Sequence, residues 1–402
     1  MPSILSGDAT TADSMDSLDQ SWIPAGLIGG ANSDHTQAAK KKKNKKKGKG
    51  GGQGDDGKTT GEENCFPRLK TCCSLCGKEP VGEAQFKSCG RCGETRYCGV
   101  DCQREAWKQP CAHKSSCGCS LPTPSAIRRG TTTEVATILH EFGRADASLA
   151  EACARKLAAT MQTSAANRAH GHQAGASAAL AVAMAAHVDV ENLQAEGLTA
   201  LGYGAMGDQQ YKQAVVDGGG ADAIAAAMRV HGRSARVQKL GCFTLRNVAL
   251  GVSGVQQAVV ACGGAAAVVS ALKAHPQDAE LAFEALAAFS NMTGGDAGCQ
   301  AAVLGAGAAE AAVGAMRIHE TDSKLQAQGC GALGNMAGGD AEGQKAVIDA
   351  GGAAAAVAAI AAWPSVEAIQ QGGKAALANM AFGDDVLQAA VVEAGAEAVW
   401  LQ

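Results

Sequence analysis

A chain of 402 residues is long enough for two or three domains, yet its composition is lopsided: 52 glycines, 46% hydrophobic residues and 3% aromatics. This excludes a thick aromatic core; the apolar share is mostly Ala and Val, so burial has to come from thin, closely packed layers, as in stacked helices. The formal charge of −4 divides into +2 for residues 1–60, +2 for 61–121 and −8 for the rest, so front and back attract different partners.

The first 64 residues are Ser, Asp, Gly and Lys with few apolar side chains, a composition that reads as a disordered tail. Asp8, Asp13, Asp16 and Asp19 stand where a secretory signal would be basic and then apolar. The longest nearly uncharged apolar stretches, 176–186 and 353–363, fall short of the ~18 residues a membrane span needs. No membrane partner is expected, and the location is intracellular, in nucleus or cytoplasm. The Lys run from Lys40 to Lys49 reads as a solvated block or as a nuclear-import or nucleic-acid contact. Set against the acidic back segment, it also predicts a tail lying in an acidic groove. Gly52, Gly57, Lys58 and Thr59 fit a phosphate-loop pattern, but no apolar strand precedes them and no helix pattern follows, so no nucleotide is expected.

Eleven of the 16 cysteines fall between Cys65 and Cys119. In a long chain without a secretory signal, such a cluster points to metal, and to a reducing compartment. In order, the pairs are Cys73 and Cys76, Cys89 and Cys92, Cys98 and Cys102, His113 and Cys117. Tetrahedral zinc takes four thiolate or imidazole ligands, so eight ligands make two closed, structural Zn2+ sites with no open catalytic position. Cys72 stands as an alternative to Cys73. Cys65, Cys111 and Cys119 are read as peripheral thiols.

The run Tyr97-Cys98-Gly99-Val100-Asp101-Cys102-Gln103, followed by Trp107 and by His113-Lys114-Ser115-Ser116-Cys117, resembles the second half of a MYND zinc finger. That resemblance implies alternating pairs: Cys73, Cys76, Cys98 and Cys102 on one ion, Cys89, Cys92, His113 and Cys117 on the other. It also implies a module that binds short Pro- and Leu-containing peptides through Gln103 and Trp107, although Trp107 reads equally well as the core of a very small domain. A RING-like ubiquitin ligase fits less well, because its histidine falls in the middle of the ligand order.

The remainder repeats every 44 residues. Gly175, Gly219, Gly263, Gly307, Gly351 and Gly395 form one column, and Val215, Val259, Val303, Val347 and Val391 a second. Gln256, Gln300, Gln344 and Gln388 form a third, and Asn247, Asn291, Asn335 and Asn379 a fourth. A period of roughly 40–47 residues marks stacked helical repeats. Within one unit a short helix over 343–349, a break at Gly351-Gly352, a second helix over 353–363 stopped by Pro364 and a third over 366–381 are predicted.

The recurring phrases Leu245-Arg246-Asn247-Val248-Ala249, Phe289-Ser290-Asn291-Met292-Thr293, Leu333-Gly334-Asn335-Met336-Ala337 and Leu377-Ala378-Asn379-Met380-Ala381 resemble the third helix of armadillo repeats. The expected fold is thus mostly α: a right-handed armadillo-type α-solenoid over 130–402, clear from residue 175. Before it come a small two-zinc finger over 65–119 and the disordered tail over 1–64. The last unit stops inside its second helix, so either Val399 and Trp400 cover the exposed end or the sequence is an incomplete product.

The armadillo resemblance implies that Asn247, Asn291, Asn335 and Asn379 face a concave groove and hydrogen-bond an extended peptide backbone. The other reading is that each only bonds a neighbouring helix end. Phe243, Ala287, Gly331 and Ala375 occupy the positions where nuclear-import adaptors carry tryptophan, so import signals are not expected to be read in that way. The expected function is a non-enzymatic, zinc-binding interaction adaptor or scaffold. A nucleic-acid-associated transcriptional regulator is the alternative, and a RING-like ligase or a methyltransferase-related protein comes behind it.

Overall fold

The computed structural model describes residues 122, 124–251, 253–294, 297–397 and 400, together with the backbone of 87–88 and 96–97. The Lys run, the phosphate-loop look-alike, the eight expected metal ligands, Gln103 and Trp107 lie outside the described residues.

Glycine sets the repeat. Gly175, Gly219, Gly263, Gly307, Gly351 and Gly395 all have positive φ, from 71° to 103°, where a Cβ is strained. The first five are each the N-cap of an 11-residue helix, so the chain turns sharply into it from the short helix before.

Around these turns the helices fall into triplets. The first is α1 Pro124–Arg129, α2 Thr132–Phe142 and α3 Ala147–Thr163; the second is α4 Ala165–Gln173, α5 Ala176–Ala186 and α6 Glu191–Gly204. Then come α7 Gln209–Asp217, α8 Gly220–Val230 and α9 Ala235–Val248, followed by α10 Ser253–Ala261, α11 Gly264–Ala274 and α12 Ala279–Met292. The last two are α13 Ala297–Gly305, α14 Ala308–Ile318 and α15 Ser323–Met336, and α16 Ala341–Asp349, α17 Gly352–Ala362 and α18 Glu367–Ala381. A short helix, α19 Asp385–Glu393, follows. α2 begins with a capping box in which Thr131 and Glu134 satisfy each other's backbone N–H. Ser234, Asp278 and Asp322 cap α9, α12 and α15 through side-chain oxygens.

Third helices pack on third helices, α3 to α6 to α9 to α12 to α15 to α18, and second helices form a parallel row behind them. The Val column lies between: Val215, Val259, Val303, Val347 and Val391 are all fully buried. One continuous core runs from Ile127 to Ala396, mostly Ala, Val, Leu and Met, with Phe289 its largest fully buried side chain. Thin layers of small side chains are what the composition called for.

The other described piece belongs to a separate unit spanning 31–121. β1 Lys87–Ser88 pairs antiparallel with β2 Arg96–Tyr97, in the register Lys87 opposite Tyr97 and Ser88 opposite Arg96. The sequence reading did not include these strands.

Candidate peptide-binding row on the third helices

Side-chain amides and rings lock the repeat before any surface is formed. Gln194, Gln238, Gln326 and Gln370 each donate to two carbonyls at the end of their own second helix; Gln238 reaches Met228 O at 2.8 Å and His231 O at 3.0 Å. Gln256, Gln300 and Gln344 donate from the first helix to the carbonyls of Asn291, Asn335 and Asn379 at 2.6–2.8 Å. Between repeats, Nε2 of His187, His231, His275 and His319 donates at 2.7–3.0 Å to a loop carbonyl one unit upstream, and Trp363 Nε1 takes that place in the next unit. The histidines at helix ends are therefore stitches between repeats.

The Asn column makes a further set of ties. Asn291 Nδ2 donates to Arg246 O at 2.8 Å, Asn335 Nδ2 to Ser290 O at 3.1 Å and Ser290 Oγ at 2.8 Å, and Asn379 Nδ2 to Gly334 O at 3.0 Å. Asn247 is buried and reaches Gly202 O at 3.4 Å. Each acceptor lies on the preceding third helix, so the helix-end reading describes the nitrogen of every one of these amides. Asn291, Asn335 and Asn379 are half-buried, and their Oδ1 atoms have no hydrogen bond among the described residues. They form a line of acceptors along the row.

The two halves of the row differ. Over α6, α9 and α12, Phe243 packs edge-on to Tyr203 and under the Arg246 guanidinium, which lies 3.0 Å from the Glu284 carboxylate. Burial raises the Glu284 carboxyl above its ordinary range, and the Arg246 charge opposes the shift. Arg155 and Arg236 both pair with Glu196, and Lys239 with Glu280. Acids and bases thus nearly balance on the third helices, and the acidic surplus of the back segment lies on other elements.

Over α15 and α18 the surface is small and weakly charged. A Cβ added at Gly331 would meet nothing within 4 Å, and one at Gly372 only the Cys330 Cβ at 3.8 Å. Ala375 and Ala378 are half-buried beside them. Gly334 differs: it packs against the Ala376 backbone and is needed for the helix contact.

One polar cluster was missed in the sequence. At α4 and α7, His172 stacks on Tyr211 with centroids 4.3 Å apart and donates from Nε2 to Gly204 O at 2.7 Å. Lys212, 3% exposed, reaches Gly207 O at 3.3 Å, and burial pushes the pKa of both His172 and Lys212 down. The signal was present: Lys212 falls on the Gln256 column and His172 on an apolar one.

Among the described residues no three His, Cys, Asp or Glu side chains gather as a metal site. Cys153, Cys242, Cys262 and Cys330 are free thiols. Burial pushes Cys153 and Cys330 up to about 12 and Cys262 to about 11. The strand pair bears on the finger. From Ser88 the chain leaves the ladder at one end toward Cys89, and from Tyr97 it leaves at the other end toward Cys98.

Residues 73–117 match the family described as MYND finger, a zinc-binding class of domain, and the match spans all eight expected ligand positions. No curated protein sequence matches the chain. Among solved structures, the helical part is similar to an engineered protein at 26% identity and TM-score 0.55, covering 62% of this chain and 96% of that one. It is similar to a designed armadillo repeat protein in complex with the peptide (KR)4, at 20% identity and TM-score 0.53, covering 62% and 100%. A structure described as showing a phosphorylation switch that controls the interaction between cadherin and beta-catenin aligns at 17% identity and TM-score 0.54, covering 73% and 54%. The chain joins a MYND finger to an armadillo-repeat solenoid. Among the described residues, no single helix is long and apolar enough to cross a membrane.

Proposed function

We propose that this protein is an intracellular, non-enzymatic adaptor that reads short peptides through its finger, its third-helix row, or both. The observation that carries the reading is the line of Oδ1 acceptors on Asn291, Asn335 and Asn379, each held in place by its own Nδ2 bond to the preceding repeat. Packed helices lie roughly 8–10 Å apart, and an extended strand rises roughly 3.3 Å per residue. One Asn therefore serves the backbone N–H of every second or third ligand residue, without reading side chains.

In the finger, Cys73, Cys76, Cys98 and Cys102 hold one Zn2+ and Cys89, Cys92, His113 and Cys117 the other. The ladder supports this division, because the chain runs to Cys89 and to Cys98 from opposite ends of it. Both sites are filled by protein ligands, so the metal shapes the fold and performs no chemistry. Gln103 and Trp107 contact a Pro- and Leu-containing peptide. The free, buried thiols of Cys153, Cys242 and Cys330 fit a reducing compartment, nucleus or cytoplasm.

The test is a random-peptide display selection on the full chain, run beside Trp107→Ala and the double variant Asn291→Ala, Asn335→Ala. Enrichment lost in the first makes the finger the reader; enrichment lost in the second makes it the row. No enrichment in the wild-type chain would overturn peptide reading. Zinc content is expected at two ions per chain, and one ion would reject the paired-site assignment.

A further inference from the structure

Arg128-Arg129-Gly130-Thr131 places two guanidinium groups three and two residues before a hydroxyl, and Thr132 and Thr133 follow directly. A pair of cations at that spacing is the charge pattern by which arginine-directed Ser/Thr kinases select their substrates. The structure distinguishes the three threonines. Thr131 is exposed and extended, at φ −67° and ψ 165°, whereas Thr132, the first residue of α2, is 3% exposed. Thr133 is exposed, but Gly130 stands three residues before it. We propose that Thr131 is a phosphorylation site for a kinase of this class.

Both arginines are open to recognition. Arg128 and Arg129 are exposed and make no ion pair among the described residues, and Arg129 Nη2 donates to Ser125 Oγ at 3.4 Å. They end α1, a helix of six residues with Ile127 as its one buried side chain. So short an element opens locally at small cost, which supplies the extended stretch that a kinase cleft takes. In the transfer, Thr131 Oγ1 forms a bond to the γ-phosphorus of ATP and the bond from that phosphorus to the β,γ-bridging oxygen breaks. ADP leaves, and the hydroxyl proton passes to the kinase's carboxylate base.

The product changes a helix cap. In the unmodified chain Thr131 donates its backbone N–H and its hydroxyl to Glu134 Oε2, at 2.8 and 3.0 Å, and Oγ1 accepts the Glu134 N–H at 3.3 Å. A phosphate dianion on Oγ1 repels a carboxylate at that distance. The amino end of α2 favours the phosphate, and the two arginines just upstream supply the countercharge. Glu134 is driven off, and the first helices of the solenoid exchange a carboxylate cap for a phosphate one.

The test uses the full chain, Mg-ATP and the catalytic subunit of cyclic-AMP-dependent protein kinase as an arginine-directed probe, with sites mapped by mass spectrometry of fragments. One phosphate on Thr131 is expected. It should be absent in Thr131→Val and form about tenfold more slowly in the double variant Arg128→Gln, Arg129→Gln. The double variant alters only exposed side chains, so it separates recognition from folding. Phosphate on Thr132 or Thr133 with Thr131 bare, or confined to hydroxyls elsewhere such as Thr71 behind Arg68, would overturn the assignment. So would an equal rate in the double variant. In the phosphorylated chain the 31P titration midpoint is expected to lie below that of a synthetic phosphopeptide of residues 126–136, because a helix N-terminus and two arginines favour the dianion. An equal or higher midpoint would overturn the exchange of caps.

Discussion

Asn335 donates from its side-chain nitrogen to the backbone carbonyl of Ser290, 3.1 Å away and one repeat upstream. The residue that marks the armadillo phrase in the sequence is thus a tie between neighbouring third helices, and only its oxygen is left for a ligand. Stability and recognition meet in one amide.

Removing that tie has a size that can be measured. Asn291→Ala is expected to destabilise the solenoid by about 1 kcal/mol, the worth of one such hydrogen bond. Asn291→Asp should do at least the same, since a carboxylate cannot donate to Arg246 O. In a solenoid, coupling runs only between neighbours, so the Asn291, Asn335 double variant should also lower the cooperativity of urea unfolding followed by circular dichroism. Wild-type stability in Asn291→Asp would show that the amide nitrogen is not the tie.

Two glycines of similar sequence context should respond in opposite directions. Gly351→Ala forces a Cβ onto a residue at φ 88° and is expected to cost about 1–2 kcal/mol. Gly331→Ala lies inside α15 with open space around it and should gain about 0.5–1 kcal/mol from helix propensity. Thermal melts of the two variants check both signs at once.

The pair Arg246 and Glu284 predicts a pH-dependent variant. Each side chain is only 18% exposed, and burial already raises the Glu284 pKa. Folded Glu284 holds its proton more tightly than the unfolded chain, so its effect on stability becomes less favourable as pH rises through and above the ordinary carboxylate range. Arg246→Met removes the opposing charge. It is expected to cost about 3 kcal/mol at neutral pH, with the loss shrinking as pH falls toward the ordinary value. Adding Glu284→Gln should abolish that pH dependence. A constant loss across the range would mean that packing against Phe243, not charge, is what Arg246 supplies.

The buried thiols should be silent toward alkylation. Only the thiolate reacts, and Cys153 and Cys330 are fully buried with pKa values near 12. Native protein treated with iodoacetamide is expected to leave both unmodified until denaturant opens the repeats. Rapid labelling in the native state would contradict the packing around α3 and α15.

Much of this fold is legible in the sequence because a repeat is a chain compared with itself. The six-glycine column is the positive-φ column, the valine column is fully buried, and the helices of the unit at 341–381 start and stop within one or two residues of the expected places. These are local consequences of glycine's missing Cβ and of helical period. The finger was likewise readable as a family match over 73–117, because zinc imposes ligand types and short spacings on the chain itself.

What tertiary structure alone decided concerns how the polar groups of one helix meet those of the helices packed against it. Which helix receives the Asn335 nitrogen, and that Arg246 meets Glu284, depend on the distance and rotation between packed helices. So does the burial of His172 and Lys212 at the carbonyl end of α6. No periodicity within one unit specifies that geometry, since it arises only when neighbouring units have stacked and each polar group has to find whatever donor or acceptor the next helix presents.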